Sequence, residues 1–172
     1  RKEATVSTLA PYSTGTASIA VASSTVTGSG TTFPTTYTAG LFKFAPSYST
    51  PWYYVTTRDS ATGLTLTGTN IWADAALSAS AYVLFQDTYN LASDVDTLIE
   101  VRLLKTGSDG PIAITSEARL DEVAYFPRFA DAPRVCAMVP SSTAGLKRIR
   151  LWPTPDATYR LSYRYLASYT DM

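Results

Sequence analysis

The sequence predicts a mainly β protein, in which a small β-barrel or sandwich module is followed by an antiparallel sheet with one short helix. Three observations predict this class. Apolar and polar residues alternate with a period of two in many short segments, as they do on the two faces of a strand. Those segments are rich in Thr, Val, Ile, Tyr and Phe, which favour a pleated surface. Turn-forming breaks recur about every 8 to 12 residues, the spacing typical of barrels and sandwiches.

The composition is that of a packed chain that lacks the residues for several kinds of catalysis. Of the 172 residues, 45% are hydrophobic and 16% are charged, so a core rather than disorder is expected. The absence of histidine excludes Ser-His-Asp triads and HExxH zinc sites within this chain. Cys136 is the single cysteine, which excludes an intrachain disulfide, and its apolar surroundings indicate a small core residue. No apolar run approaches the roughly 18–20 residues that cross a bilayer.

Residues 1–90 make up the first expected module, which is rich in serine and threonine and poor in charge. Between Glu3 and Arg58 the only charged side chain is Lys43. Interleaved aromatic residues and valines favour packed strands over a disordered, mucin-like segment. Strands are predicted over 3–9, 16–21, 24–28, 41–45, 52–57, 63–67 and 81–86.

Residues 91–172 make up the second expected region, either as a separate domain or continuous with the first. It carries ten basic and ten acidic residues, in contrast to the charge-poor first module. Ser116 is a suitable N-cap for the one helix that we expect, over 116–126, and Pro127 would end it. Further strands are predicted over 98–105, 111–115 and 134–140, with a turn at 106–110.

The densest group of carboxylates lies at Asp94, Asp96 and Glu100. Paired carboxylates can serve as a glycosidase acid and base, or bind a hard cation. The favoured interpretation here is structural, with Ser93 capping a short helical turn and the two aspartates near its positive end. No nucleophile motif, phosphate-binding loop or metal-ligand cluster is visible in the sequence. We therefore expect neither an enzyme nor a cofactor.

The most distinctive segment is LKRIRLWPTPDATYRLSYRYLA, residues 146–167. It alternates on both sides of a Pro-x-Pro-Asp turn, so it predicts a hairpin in which 146–152 pairs with 158–166. One face of this hairpin would be buried and would carry Ile149, Leu151, Leu161 and Tyr163. The opposite face would carry Arg148, Arg150, Arg160 and Arg164, with exposure expected in particular for Arg150 and Arg160.

Three interpretations of this arginine face stay open at the level of sequence. Burying four unpaired arginines would be prohibitive, so the face must meet solvent, carboxylates or phosphate. It could be a solvated outer surface, an assembly face for a partner protein, or a contact with nucleic acid. A net charge of zero and the lack of a nucleic-acid-binding motif disfavour the third.

Four segments of the sequence resemble tailed-bacteriophage head-to-tail connector (neck adaptor) proteins. In chain order they are GTASIAVASSTVTGSGTTF, GLFKF, WYYVTTRDSATGLTL and AYVLFQDTYNLASDVDTLIEVRLL. The ending RIRLWPTPDATYRLSYRYLA is similar to that family's late hairpin, and the resemblance covers nearly the whole chain. Members usually carry helices before and after this β region. Because those helices and an initiator methionine are lacking here, we expect the chain to be the middle part of a longer product.

The resemblance implies a structural virion protein made in the cytoplasm of the bacterial host. It would form a homo-oligomeric ring, a dodecamer being one option, between the portal protein and the tail or nozzle protein. The ring would surround the DNA channel, so it would lie near packaged DNA without recognising it, and it would involve no membrane. The arginine face would then be an assembly surface.

The alternative from another class is a receptor- or glycan-binding β module of a phage tail fibre or a surface adhesin. Trp52, Tyr53 and Tyr54 could stack on sugars in such a module, although alternation sends at least one of them into the core. Flanking sequence would separate the two classes, because amphipathic helices favour a connector and coiled-coil segments favour a fibre. An enzyme is the third alternative.

Overall fold

The computed structural model describes residues 1–67, 72–104, 110–124, 129–141, 143 and 145–168. In this part of the chain it contains fourteen β-strands, arranged in two seven-stranded sheets, and one α-helix. One sheet is nearly closed into a barrel and the other is curled. The predicted fold class, mainly β with barrel-like character and one short helix, is therefore confirmed.

The chain folds as two compact units. The central unit is Pro11–Gln86, and the terminal unit combines Arg1–Ala10 with Asp87–Met172. The expected boundary near residue 90 lies close to the junction between Gln86 and Asp87. The main difference from the expected modules is that the first ten residues join the second half of the chain.

The first strand of the chain accounts for that difference. β1 (Lys2–Ser7) pairs antiparallel with the last strand, β14 (Arg160–Ala167), and not with the strands that follow it. The alternation over 3–9 correctly predicts a strand, but alternation carries no information about which strand is the partner. The sheet of the terminal unit therefore joins the first and last strands of the chain.

The central unit contains one antiparallel sheet with the strand order β7-β2-β3-β6-β5-β4-β8. Its strands are β2 (Thr16–Ile19), β3 (Thr25–Ser29), β4 (Phe42–Ala45), β5 (Tyr53–Arg58), β6 (Gly63–Leu66), β7 (Leu77–Ser80) and β8 (Val83–Gln86). Six of the seven lie at predicted segments. The exception is β7, whose Leu-Ser-Ala-Ser sequence is short and contains no β-branched residue.

Buried apolar residues on one face of this sheet form the core of the central unit. In β4, Phe42 and Phe44 alternate into that core, and the Phe44 ring lies 5.9 Å from the ring of Trp72. Lys43 points to the opposite face and is nevertheless buried, with 1% of its surface exposed. The burial of β4 on both faces explains why its four residues show no alternation in exposure.

The terminal unit contains a sheet with the strand order β1-β14-β10-β11-β12-β13-β9. Its remaining elements are β9 (Thr88–Asn90), β10 (Val95–Leu104), β11 (Gly110–Thr115), α1 (Glu117–Val123), β12 (Val135–Pro140) and β13 (Lys147–Trp152). Neighbouring strands are antiparallel except β11 and β12, which are parallel. A parallel pair needs a crossover connection, and α1 lies within that connection.

The single described helix begins as the sequence predicts. The side-chain oxygen of Ser116 accepts a hydrogen bond from the Arg119 N–H at 3.2 Å, which caps the first turn. Leu120 and Ala124 are buried against Ala137 and Trp152 of the adjacent strands. The helix ends at Val123, with Ala124 as its C-cap, so it is shorter than the predicted 116–126. Residues 125–127 and the first four residues of the predicted turn at 106–110 lie outside the described residues, and Gly110 begins β11.

Strand β10 contains two irregularities that keep its apolar residues on one face. Its inward residues Val95, Leu98 and Val101 are spaced by three, whereas a regular strand needs a spacing of two. The pairing register with β14 shifts between Val95 and Thr97 and again between Leu98 and Glu100. Each bulge inserts one residue, so the third residue along returns to the same face.

The predicted hairpin between 146–152 and 158–166 is wrong. β13 pairs with β12 and β9, whereas β14 pairs with β1 and β10. The segment between the two strands has other partners, since the Thr154 carbonyl accepts a hydrogen bond from the Asp131 N–H at 2.9 Å. Alternation fixes which face of a strand is buried but leaves its neighbour undetermined.

The predicted burial along these two strands is confirmed. Ile149, Leu151, Leu161 and Tyr163 are each at most 2% exposed and belong to one core cluster. The two strands therefore contribute to a shared core without being neighbours in the sheet. A Pro-x-Pro-Asp sequence between two alternating segments does not by itself establish a β-hairpin.

Candidate assembly surface

The outer face of strands β1, β14 and β10 carries a cluster of charged and polar side chains. In β14, Leu161, Tyr163 and Tyr165 point into the core, so the alternate residues Ser162 and Arg164 point outward. Glu3 of β1 is opposite Arg164 on one side, and Glu100 of β10 is opposite it on the other. We call the group Glu3, Glu100, Arg102, Ser162 and Arg164 the charged cluster.

Short hydrogen bonds and ion pairs hold the charged cluster together. The Ser162 hydroxyl donates to Glu3 Oε1 at 2.7 Å. Arg102 Nε donates to Glu100 Oε1 at 2.6 Å, and Arg164 Nη1 lies 3.5 Å from Glu100 Oε2. The five residues line a shallow depression of about 250 Å³. Glu100 thus pairs with Arg102 of its own strand, β10, and with Arg164 of the neighbouring strand, β14.

The partners of Glu100 favour its ionised form. The hydrogen bond from Arg102, and then the weaker interaction with Arg164, lower the pKa of the Glu100 carboxyl. The Arg164 side chain is 58% exposed, and the Glu100 side chain is 29% exposed. Two carboxylates and two guanidinium groups leave the cluster close to neutral, so it presents both signs of charge to a partner.

Two exposed aliphatic side chains adjoin the charged cluster along the same strands. Leu166 is 44% exposed and follows Arg164 by two residues in β14. Ile99 is 40% exposed and lies at the bulge between Leu98 and Glu100 in β10. Protein–protein contacts combine an apolar centre with a polar rim, but single exposed aliphatic residues also occur on ordinary surfaces.

The structure separates the four predicted arginines into two pairs. Arg160 and Arg164 lie on β14, and the predicted exposure of Arg160 is confirmed. Arg148 and Arg150 lie on β13, with strands β10, β11 and β12 between them and β14 in the sheet. The assembly-face prediction can therefore apply as one surface to Arg160 and Arg164 only.

The β13 pair has local partners. Arg150 Nη1 lies 2.6 Å from Asp121 Oδ1 on α1, and its side chain is only 18% exposed, so the predicted exposure of Arg150 is wrong. Arg148 Nε donates to Asn90 Oδ1 of β9 at 3.2 Å. The helix that occupies the crossover covers this part of the outer face, which strand periodicity alone does not reveal.

The predicted capping role of Asp94 and Asp96 is wrong. Ser93 and Asp94 form a non-helical turn, and β10 begins directly after it at Val95. Asp94 accepts hydrogen bonds from Lys2 Nζ at 2.6 Å and from the Tyr165 hydroxyl at 2.9 Å. The bond from Lys2 is the main cause of a lowered pKa for the Asp94 carboxyl. Asp94 therefore connects β1 to β14. The sequence alone does not predict this role, because it depends on which strands pair.

The aromatic residues of the central unit surround a lysine. Lys43 Nζ lies 4.1 Å from the centroid of the Trp52 indole and 5.3 Å from that of the Tyr54 ring. Tyr53 points the other way, and its ring lies 4.8 Å from that of Trp72. This agrees with the expectation that alternation sends one of the three aromatic residues inward. Tyr54, at 38% exposure, is the most exposed of the three.

The described residues offer little for other kinds of site. Among them, no group of three or more Cys, Asp or Glu side chains is placed to hold a metal ion. The helix that the structure describes is too short to cross a membrane. Cys136 is fully buried, and this burial raises the pKa of its thiol to about 12.

Comparison with protein-family models, with curated proteins and with solved structures gave no match to this chain. Its functional interpretation therefore depends on the residues and geometry described above.

Proposed function

We propose that the chain is a structural subunit of a tailed-phage neck, an adaptor that forms a ring between the portal and the tail around the DNA channel. The order of the quoted sequence segments supports this class. A protein of two β-rich units with a mixed-charge outer surface also fits a subunit whose role is to hold neighbours in place. The proposal requires no catalytic group.

The observation that carries the proposal is the outer face of β14 with its neighbours. Arg160 and Arg164 project outward from β14, and the charged cluster, which includes Arg164, displays both signs of charge. Ile99 and Leu166 add exposed apolar surface on the same strands. Arginine suits such a contact because its planar fork pairs with carboxylates in two-point geometry.

Repetition makes such a contact effective. One exposed ion pair contributes only about 0–1 kcal/mol, so a single contact would not hold two subunits together. In a closed ring every subunit makes the contact again, and closure makes dissociation cooperative. The proposal therefore concerns a surface used many times over.

The test is charge reversal at Arg160 and Arg164 in the full-length protein. Arg160→Glu combined with Arg164→Glu should leave the far-UV circular dichroism spectrum unchanged but lower the mass observed by native mass spectrometry from that of a ring to that of smaller species. Arg119→Glu is the matched control, because Arg119 is an exposed arginine on α1, away from this face. The control should retain the ring.

Two results would contradict the proposal. A wild-type protein that is monomeric at micromolar concentration, alone and when mixed with a portal ring, would exclude a ring-forming adaptor. A ring that survives the double charge reversal would show that the outer face of β14 is only solvated. Rising salt should weaken the wild-type ring if the contact is ionic.

A second candidate, a glycan-binding β module, is favoured by one observation. Tyr54 is exposed beside Trp52, whose ring is 5.0 Å away, and such a pair can stack on a sugar. A glycan array would test it, with Tyr54→Ala as the variant. Binding lost in that variant and kept in Arg160→Glu would favour this function over the adaptor.

A further inference from the structure

An open groove of about 470 Å³ lies on the central unit, across three neighbouring strands of its sheet. β2 contributes Ser18, β3 contributes Thr25 and Thr27, and β2 lies between β3 and β7. The adjacent residues Ala17 and Val26 are buried in the core, so the three hydroxyl residues alternate to the outer face. Ser18 is directly opposite Thr27, which places their side chains next to each other.

The hydroxyl groups of this groove have unused hydrogen-bonding capacity. Thr25 and Thr27 are exposed, and their hydroxyls have no hydrogen-bond partner among the described residues. The Ser18 hydroxyl accepts from the Ala79 N–H at 2.9 Å, which leaves its own proton for a ligand. The Ser23 hydroxyl accepts from the Thr25 N–H at 3.0 Å. The groove therefore presents both donors and acceptors from a sheet that fixes their positions.

Two residues with strained backbones lie beside the same groove. Ala22 and Ala79 have φ values of 60° and 46°, and in the described part of the chain they are the only non-glycine residues with a positive φ. Ala22 lies in the turn between two residues that line the groove, Ala20 and Ser23. Ala79 donates the hydrogen bond to Ser18. Such conformations persist where the surrounding structure enforces them, and they cluster at ligand sites.

The described lining of the groove carries no formal charge. It consists of the four Ser and Thr residues, two alanines, Ile19 and Leu77. The carboxylate nearest to it in the sequence, that of Asp74, accepts a hydrogen bond from the Tyr53 hydroxyl at 3.0 Å. A phosphate or nucleic acid would need cationic partners, and a metal cation would need carboxylates. The ligand that fits this lining is therefore uncharged.

The backbone of the groove is already paired. β2 pairs with β3 and β7, and β3 pairs with β2 and β6, so neither strand offers the free edge that peptide binding by strand addition requires. What remains is a set of hydroxyls next to an apolar end, where Ile19 is directly opposite Leu77. A carbohydrate matches both features, because its hydroxyls donate and accept hydrogen bonds and the C–H face of its ring is apolar.

We propose that this groove binds an uncharged glycan. The hydroxyls of Ser18, Thr25 and Thr27 pair with sugar hydroxyls, and the apolar end packs against the ring. The volume of the groove lies within the range of about 300–1,000 Å³ that is usual for small-ligand sites. The site is separate from the pair Trp52 and Tyr54, because β6 lies between β3 and β5 in the sheet. The inference does not depend on the ring of the proposed function.

The test first finds a ligand and then locates its site. The full-length protein is applied to a glycan array that carries neutral oligosaccharides and their sulfated or carboxylated counterparts. Neutral glycans should bind, and an added acidic group should not improve binding. Titration of isotope-labelled protein with the neutral glycan that binds best should then shift the backbone amide NMR signals of residues 18–27 and 76–79.

A double variant identifies the hydroxyls that bind. Thr25→Val combined with Thr27→Val removes two hydroxyls from the groove but keeps the shape of both side chains and their preference for a strand. The affinity for the glycan should fall about tenfold, through the loss of two hydrogen bonds. Thr5→Val combined with Thr62→Val is the matched control, because it removes two exposed hydroxyls outside the groove. The control should bind as the wild type does.

Three results would overturn this inference: no neutral glycan bound on the array, an unchanged affinity in the Thr25 and Thr27 double variant, or NMR shifts confined to the surroundings of Trp52 and Tyr54. Native mass spectrometry separates it from the proposed function. A ring without glycan binding overturns the glycan site alone. A monomer that binds a neutral glycan through Thr25 and Thr27 overturns the adaptor alone.

Discussion

Arg150 Nη1 lies 2.6 Å from Asp121 Oδ1, an ion pair that fastens the only described helix to strand β13. The two partners differ in environment, since the Arg150 side chain is 18% exposed and the Asp121 side chain is 58% exposed. The guanidinium group lies under the helix, whereas the carboxylate lies at its surface. This pair replaces the solvent-facing arginine that the sequence predicts at this position.

Arg150→Ala should therefore lower the free energy of unfolding by about 1 kcal/mol, through loss of a charged hydrogen bond and of the packing of the arginine stem. Urea denaturation followed by tryptophan fluorescence measures the change. Arg119→Ala is the matched control, because the ion pair of Arg119 with Glu122 is exposed on both sides and should contribute close to nothing. Equal effects of the two changes would contradict a special role for Arg150.

Leu120→Ala should destabilise the helix docking more strongly. Leu120 is fully buried against Ala137 and Trp152, so its truncation leaves a cavity and should cost about 2–4 kcal/mol. Val123→Ala, on the same helix at 45% exposure, should cost less than about 1 kcal/mol. Thermal unfolding of the two variants measures the difference. A larger effect at Val123 would mean that the helix presents another face to the sheet.

Thr8→Val should weaken the attachment of β1 to β14. The change keeps the shape of the side chain but removes an oxygen that makes two hydrogen bonds, and leaves the Tyr159 N–H and the Ala157 carbonyl without them. The expected loss of stability is about 2–3 kcal/mol, because buried polar groups would lose their partners. Faster amide hydrogen exchange in β1 would locate the effect. Thr5→Val, at an exposed position of the same strand, should change neither quantity.

Acid should destabilise the fold through Asp94 and Glu100. The pKa of each carboxyl is lowered, chiefly by the hydrogen bond from Lys2 for Asp94 and from Arg102 for Glu100. A carboxyl with a lower pKa in the folded state stabilises that state above its unfolded pKa, and the stabilisation is lost as pH falls through the folded pKa. The free energy of unfolding should therefore decline as the pH falls below about 4.5.

Urea denaturation at a series of acidic pH values measures that decline. Asp94→Asn combined with Glu100→Gln should be less stable than the wild type at neutral pH but should lose less stability on acidification. Parallel pH curves for the variant and the wild type would assign the acid sensitivity to other carboxyl groups.

Strand positions and buried faces could be read from the sequence because both depend on local pattern. The predicted strands of the central unit coincide with six observed strands, and Ile149 and Tyr163 are buried as alternation requires. Which strands become neighbours could not be read, since pairing depends on contacts across the whole chain. The separation of β13 from β14 and the pairing of β1 with β14 are both of this kind.

The candidate site was predictable in part for the same reason. The outward direction of Arg160 and Arg164 follows from alternation in β14. The partners Glu3 and Glu100 come from strands far away in the sequence, so no local signal indicates them. The two bulges of β10 could have been anticipated, because Val95, Leu98 and Val101 repeat every three residues inside an otherwise strand-like segment.

The pairing of β1 with β14 has a consequence for synthesis on the ribosome. β1 is translated first among the strands and β14 last, so β1 must wait for its groove until more than 150 residues have followed it, about ten seconds or more at ordinary elongation rates. The central unit is complete well before then and can fold while the remainder is still being made. During this interval the emerging β1 is a strand without its partner, and the terminal unit can complete its sheet only after β14 has been made.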